Sequence, residues 1–413
     1  MSAAVATSLF WIVAAAAIAP LVAGSLRRKP IPEVVLLLVA GIVIGPYALD
    51  LAQVDSEIGM LRELGLGMLF LLAGYEIDRD ELTGRGGRRA LVTWLVCLAS
   101  AFAVVAGLAV AGLVHSEIAV AIALTSTALG TLLPILKDRK LIDTPVGRAI
   151  LNHGAVGEIG PVVAMAILLG ARGAVVSLIV LAVFAVVAVV VAMLPARILR
   201  EGTALLAVVR RGSDTTGQTT VRLVMLLLVA LIAVAVVFDL DIILGAFAAG
   251  FILRRTVPDG DEQLEHKLEG LAFGLLIPVF FVTSGMTIEV SAVVGEPLIL
   301  LAFLGLLLVV RGLPVFVASR TDRDSGLDTR GQMQVALYAT TGLPLIVAVT
   351  GVAVDAGQMS NATASILVAA GAITVLLLPL FANTLASRGR RHRTASAASR
   401  PDRPSDRAVR PPC

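Results

Sequence analysis

The feature that most limits what this chain can become is a series of apolar runs about 20 residues long, the length that spans a bilayer's hydrocarbon core. Examples are SLFWIVAAAAIAPLVAG (8–24) and PLILLAFLGLLLVVRGLPVFVA (297–318). The runs are continuous rather than alternating apolar with polar, which argues against a membrane β-barrel. Charged residues make up 15% of the chain, well below the roughly 25% of a soluble domain. The reading is an all-α polytopic membrane protein. Its first run has no basic residue before it and Arg27, Arg28 and Lys29 after it. That pattern predicts a first span with its N-terminus outside rather than a cleaved signal peptide.

Thirteen spans are expected, at about 4–24, 31–47, 58–78, 89–112, 116–136, 145–170, 173–196, 221–238, 241–254, 267–288, 296–318, 331–351 and 361–386. The ninth is short, and the fifth and twelfth are interrupted. Charge distribution tests this count, because cytoplasmic loops collect Lys and Arg. Alternate loops and the C-terminal tail hold thirty of the 33 basic residues. The opposite loops carry Asp50, Asp55, Glu57, Glu117, Asp239, Asp241, Glu289 and Glu296, with Arg62 and Arg172 as their basic residues. The predicted topology is N-outside and C-inside, in a cell inner membrane. Residues 387–413, basic and poor in large apolar side chains, are expected to be a disordered cytoplasmic tail.

Two charges lie inside the apolar runs. Glu158 sits in LNHGAVGEIGPV (151–162), where a charged side chain costs roughly 2.5–3.5 kcal/mol at the bilayer centre. Gly154, Gly157, Glu158 and Pro161 share one helical face, so the acid lies on a stripe of small residues that another backbone can approach. Arg311 lies within the eleventh run rather than at its end, and Glu158 is its expected partner. Asn152 and His153, one to two turns from Glu158, are placed along the inner approach to it. Glu76 and Asp78, at the end of span 3, are read as topology or gating groups, and His115 and His266 as loop residues.

Internal repetition organises the rest. GMLFLLAGYEID (67–78) aligns with PVFFVTSGMTIE (278–289) at an offset of 211, matching Phe70 with Phe281 and Gly74 with Gly285. TSTALG (125–130) aligns with ATTGLP (339–344) at an offset of 214, matching Ser126 with Thr340 and Thr127 with Thr341. Repeats over about 4–170 and 221–386, joined by a linker span at 173–196, start on opposite sides of the membrane. This is inverted-repeat architecture, with a site at the midplane and alternating access. Thr125, Ser126, Thr127, Thr340, Thr341 and Gly342 then mark two broken helices crossing at that site. For any one of these hydroxyls, bonding to the preceding turn's carbonyls is the simpler role.

The motifs PIPEVVLLLVAGIVIGPYALDL (30–51), LGLGMLFLLAGYEID (64–78), TSTALGTLLP (125–134), LGAFAAGFIL (244–253) and IPVFFVTSGM (277–286) together resemble the monovalent cation:proton antiporter-2 family, which includes Kef-type and NapA-like transporters. The resemblance implies thirteen helices, two of them broken and crossing, usually in a homodimer. It also implies a carboxylate on the sixth helix that takes either a cation or a proton. Family members commonly carry Asp there, preceded by Asp, Asn or Gln; here the pair is Gly157 and Glu158. Arg311 falls where related antiporters place a basic residue.

These readings make Glu158 the shared carrier of Na⁺ or K⁺ and protons, since burial raises a carboxyl pKa and a nearby Arg lowers it. The five hydroxyls and the broken-helix carbonyls would complete a hard-cation shell. One carboxylate and one Arg predict electroneutral one-for-one exchange. No cofactor or metal centre is expected; the partners are the cation, protons and the lipid bilayer, not nucleic acid. A same-fold solute or organic-anion symporter would need a second polar lining. A non-transporting sensor subunit draws on the missing acid or amide at Gly157. An enzyme is disfavoured because no nucleophile–base pair or metal motif is present.

Overall fold

The computed structural model describes residues 2–25, 31–77, 84–112, 114, 116–169, 173–201, 218–256 and 262–398. Helix occupies every expected span. In chain order the helices are α1 Ala3–Ser25, α2 Glu33–Ile44, α3 Ser56–Glu76, α4 Arg85–Val110, α5 Glu117–Leu124, α6 Leu129–Asp138, α7 Pro145–Leu168 and α8 Ala174–Glu201. They continue with α9 Thr219–Val237, α10 Ile242–Thr256, α11 Glu262–Met286, α12 Pro297–Thr321, α13 Thr329–Ala339, α14 Leu343–Asp355 and α15 Asn361–Ala398. Nine segments are long and apolar enough to cross a bilayer, counting α13 with α14 as one, among the described residues. Three shorter apolar helices accompany them. Asp78, His115 and Arg172 lie outside the described residues.

Local chemistry sets the helix starts. Asp55 caps α3 by accepting from the Ile58 N–H (3.0 Å), Thr144 caps α7 through the Gly147 N–H (3.1 Å), and Asp328 caps α13 through the Gly331 N–H (2.8 Å). Pro145 opens α7 and Pro344 sits in the first turn of α14, where a missing N–H costs nothing. One boundary differs from expectation: α15 runs on to Ala398, so the segment expected to be disordered from 387 begins as helix. Its Ala and Arg residues are good helix formers and extend the span.

Contacts divide the helices into two bundles. A flanking bundle holds α1, α2, α3, α9, α10 and α11. A crossing bundle holds α4, α5, α6, α7, α12, α13, α14 and α15. Helix α8 packs on both α7 and α10. Glycines fix the flanking bundle: a Cβ on Gly74 of α3 would stand 2.2 Å from the Phe247 carbonyl oxygen, and one on Gly250 of α10 would stand 1.9 Å from the Leu71 oxygen. In α11, Gly285 faces the Leu38 oxygen at 2.2 Å, and Gly41 of α2 faces the Val282 oxygen at 2.0 Å. Backbone meets backbone in both pairs, as small residues allow. Gly74 and Gly285, which match at the 211-residue offset, each make such a contact.

Candidate functional site

The site begins with a proline. Pro161, inside α7, has no N–H to give the carbonyl of residue 157 four positions back. The freed Gly157 carbonyl accepts instead from the Thr127 N–H at 2.9 Å, tying α7 to the gap between α5 and α6. That gap meets the second one, between α13 and α14, through the Ala128 N–H, which donates to the Thr341 carbonyl at 2.9 Å. Gly342 allows the close approach, since a Cβ there would stand 2.3 Å from the Ser126 hydroxyl. Thr127 completes the crossing by donating its hydroxyl proton to the Ala339 carbonyl, at the end of α13.

The other hydroxyls do local work. Thr125 donates to the Ile122 carbonyl (2.8 Å), Ser126 to Ala123 (2.7 Å), Thr340 to Ala336 (2.8 Å) and Thr341 to Tyr338 (2.8 Å). The Ile122, Ala123 and Tyr338 carbonyls also accept the backbone N–H of the same residue, so these protons are spent inside the broken helices themselves. All five hydroxyl residues are fully buried, so the expected cation shell of hydroxyls is not an open surface in this conformation.

Arg311 is also fully buried, in a π turn at Leu308–Gly312 of α12. The expected ion pair with Glu158 is not formed. Its guanidinium Nη2 donates to the Thr127 hydroxyl (2.9 Å) and the His153 carbonyl (2.8 Å). Nε donates to Thr127 (3.1 Å) and more weakly to the Ala339 carbonyl (3.4 Å), and Nη1 faces the Cys97 sulfur at 3.8 Å. The cation therefore sits against the negative end of α13. Gly157 makes this possible: a Cβ there would stand 2.2 Å from Nη2 and 2.7 Å from the Thr127 hydroxyl oxygen. Glu158, the next residue, projects about 100° further round the helix and away from the guanidinium.

Glu158 is 3% exposed and meets the Leu129 N–H at the positive N-terminal end of α6. Its Oε2 is buried with no hydrogen-bond partner. A second carboxylate converges there. Glu76 Oε2, from the end of α3 in the other bundle, lies 3.6 Å from where a Cβ on Gly130 would be, and its charge acts directly on Glu158. Sequence reading placed Glu76 among gating groups; nothing in α3 itself signals that its last turn docks on α6. A cavity of about 520 Å³ runs along the bundle interface on the arginine-rich face and reaches the first turn of α6; neither carboxylate is in its lining. Gly130 and Thr131 line it beside Glu33, Arg139, Phe281 and Asn383. Asn152 and His153 are not in that lining. Asn152 packs on Gly86 of α4, and the His153 ring is buried, with its carbonyl on Arg311.

A family model described as sodium/hydrogen exchanger, transmembrane, matches residues 13–387. The chain belongs to the sodium/hydrogen exchanger family. Among relatives of this exchanger-family chain, it is 23% identical to the putative Na⁺/H⁺ antiporter YjbQ of Bacillus subtilis, over 86% of this chain and 59% of the relative. It is 28% identical to the glutathione-regulated potassium-efflux system protein KefC of Salmonella typhi, over 91% of this chain and 59% of that protein. The chain thus spans about three-fifths of the length of both. In fold it resembles the sodium proton antiporter MjNhaP1 of Methanocaldococcus jannaschii, with a TM-score of 0.64 at 18% identity over 92% of this chain and 97% of that one.

Proposed function

We propose that this chain is a monovalent cation:proton antiporter of the cytoplasmic membrane, exchanging Na⁺ or K⁺ for protons. The observation that carries the reading is the convergence of Glu158 and Glu76 on the N-terminus of α6, whose first turn also lines a cavity between two bundles. A hard cation is held by oxygen ligands and by negative charge, and a proton competes for the same carboxylate. Glu158 is the carrier, with Glu76 as a second acid that belongs to the opposite bundle. The arginine-rich face is cytoplasmic in this reading, and the larger cavity on that face supports an inward-facing arrangement.

Transport follows from moving one bundle past the other. Arg311, Thr127 and the Gly157 carbonyl lock the crossing helices to α7, so Glu158 travels with the crossing bundle as a rigid unit. Glu76 stays with the flanking bundle, so the two acids separate when the site turns outward. A single travelling carboxylate supports one cation against one proton. Residues 1–386 form the transporter unit, with repeats over 4–170 and 221–386, and the working form is a homodimer in the bilayer.

The test is dissipation of a pH gradient in proteoliposomes, followed with an internal dye as Na⁺, K⁺ or Li⁺ is added, with wild type beside Glu158→Gln. Dissipation by one cation, lost in the variant, is expected. A folded wild type that is silent with every cation from about pH 5 to 9 would overturn the proposal.

A further inference from the structure

The face that carries the acidic loops has a basic residue set into a span. Arg62 lies on the second turn of α3, half-buried, where the pattern of the chain places acids. Snorkelling would carry its head back toward water. Instead the side chain leans across the bundle interface to α14, with Nη2 3.7 Å from where a Cβ on Gly351 would be. Gly351 and Asp355 share one face of α14, one turn apart, and Asp355 and Glu63 are the acids whose charges act on Arg62. Glu63 sits on α3 beside Arg62, so Asp355 is the attraction that reaches across the gap.

Around this contact is a narrower space of about 120 Å³, against about 520 Å³ on the opposite face of the same interface. Its walls come from both bundles: Arg62, Ser284 and Thr287 from the flanking side, Thr350, Asp355 and Asn361 from the crossing side. Ser284 is 3% exposed, and its hydroxyl oxygen lacks a hydrogen-bond partner. Thr350 spends its hydroxyl proton on the Ile346 carbonyl (2.7 Å), which leaves its oxygen lone pairs to the space. An acceptor-rich pocket with an acid at its rim suits a passing cation, and in this conformation the guanidinium of Arg62 takes that place.

We propose that Arg62 is the latch of the acidic-face gate: a tethered cation that reaches from α3 to α14 on the side of Asp355 and fills the narrow space there while the larger cavity lies on the opposite face. This rests on the alternating-access reading above. When the crossing bundle moves, α14 slides relative to α3, the guanidinium loses Asp355, and the space widens into an aqueous route. A mobile cation is kept out of the closed side both by bulk and by like charge.

The test uses Ser284→Cys as a reporter in the chain carrying Cys413→Ser, with Cys97 left in place because it is fully buried. Sealed vesicles receive an anionic, membrane-impermeant methanethiosulfonate from the acidic face. For Arg62→Gln the lost positive charge slows such a reagent electrostatically. For Asp355→Asn, where a lost negative charge would speed it, a cationic impermeant methanethiosulfonate replaces it, so that faster labelling reports opening in both. Arg62→Gln and Asp355→Asn are each expected to label about fivefold faster than the parent, the lower end of coupling between two states. The exchanged pair Arg62→Asp with Asp355→Arg is expected to return toward the parent rate. Thr350→Cys, on the other wall, serves if Ser284→Cys does not fold. Parent-rate labelling of Arg62→Gln, or an exchanged pair that labels as fast as Arg62→Gln, overturns the latch. Antiport assayed on the same vesicles separates the two proposals. Antiport with an unresponsive reporter removes the latch alone, whereas a responsive reporter without antiport removes the transport reading alone.

Discussion

Gly157 is the position at which this chain departs from the family pattern it resembles, and the structure gives the departure a steric cause that can be measured. A helical Gly→Ala change in an open position would gain roughly 0.5–1 kcal/mol. Here the new Cβ would stand 2.2 Å from Arg311 Nη2 and 2.7 Å from the Thr127 hydroxyl oxygen, so the guanidinium has to leave. Leaving breaks bonds of 2.9 Å to Thr127 and 2.8 Å to the His153 carbonyl, each worth about 1.5–3 kcal/mol for a charged donor. It also strands a buried cation, and breaking such an arrangement costs about 3–5 kcal/mol in all. Gly157→Ala and Gly157→Asn should therefore lower the thermal midpoint of the purified protein strongly, with Asn gaining nothing from its amide. Arg311→Gln should be destabilising alone, yet Gly157→Ala should cost much less in that background, because the clashing group is gone. The double-mutant cycle should show coupling of about 2 kcal/mol or more. Midpoints that add within about 0.5 kcal/mol, or a Gly157→Ala protein as stable as wild type, would refute the argument.

Other substitutions probe the second acid and the packing. Glu76→Gln removes one of the two carboxylates at the head of α6 and is expected to raise the half-saturating cation concentration about tenfold, equivalent to ~1.4 kcal/mol, in the liposome assay. Because cation and proton compete, that concentration should also rise as pH falls in the wild type; a half-saturation independent of both pH and Glu76 would contradict the shared site. Gly285→Ala places a Cβ 2.2 Å from the Leu38 backbone oxygen and should sharply reduce folded yield, measured by detergent size-exclusion profile. Gly107→Ala, on α4 with nothing within 4 Å of its Cβ, should match or exceed wild type. Equal behaviour of the two would undo the account of how α2 and α11 meet.

Much of this protein is legible in its sequence because a bilayer offers unpaired backbone groups no partner. Runs of about 20 apolar residues therefore have to be helices, and Lys and Arg sort the loops by side. Membership of the repeat, the two broken helices and the carboxylate at Glu158 follow from the same one-dimensional pattern. Even the tie between Gly157 and Thr127 has a sequence cause in Pro161. Pairing was beyond that pattern. Charge alone matched Arg311 with Glu158, whereas a single residue's 100° rotation on α7 sends the two groups in different directions, one to the carbonyls of α13 and the other to the N-terminus of α6. Glu76 joins Glu158, and Arg62 leans toward α14, only because helices far apart in sequence, from separate bundles, lie side by side. A sequence states which groups are too costly to leave unpaired in a membrane; which partner each finds is decided by distances across an interface that no local spacing encodes.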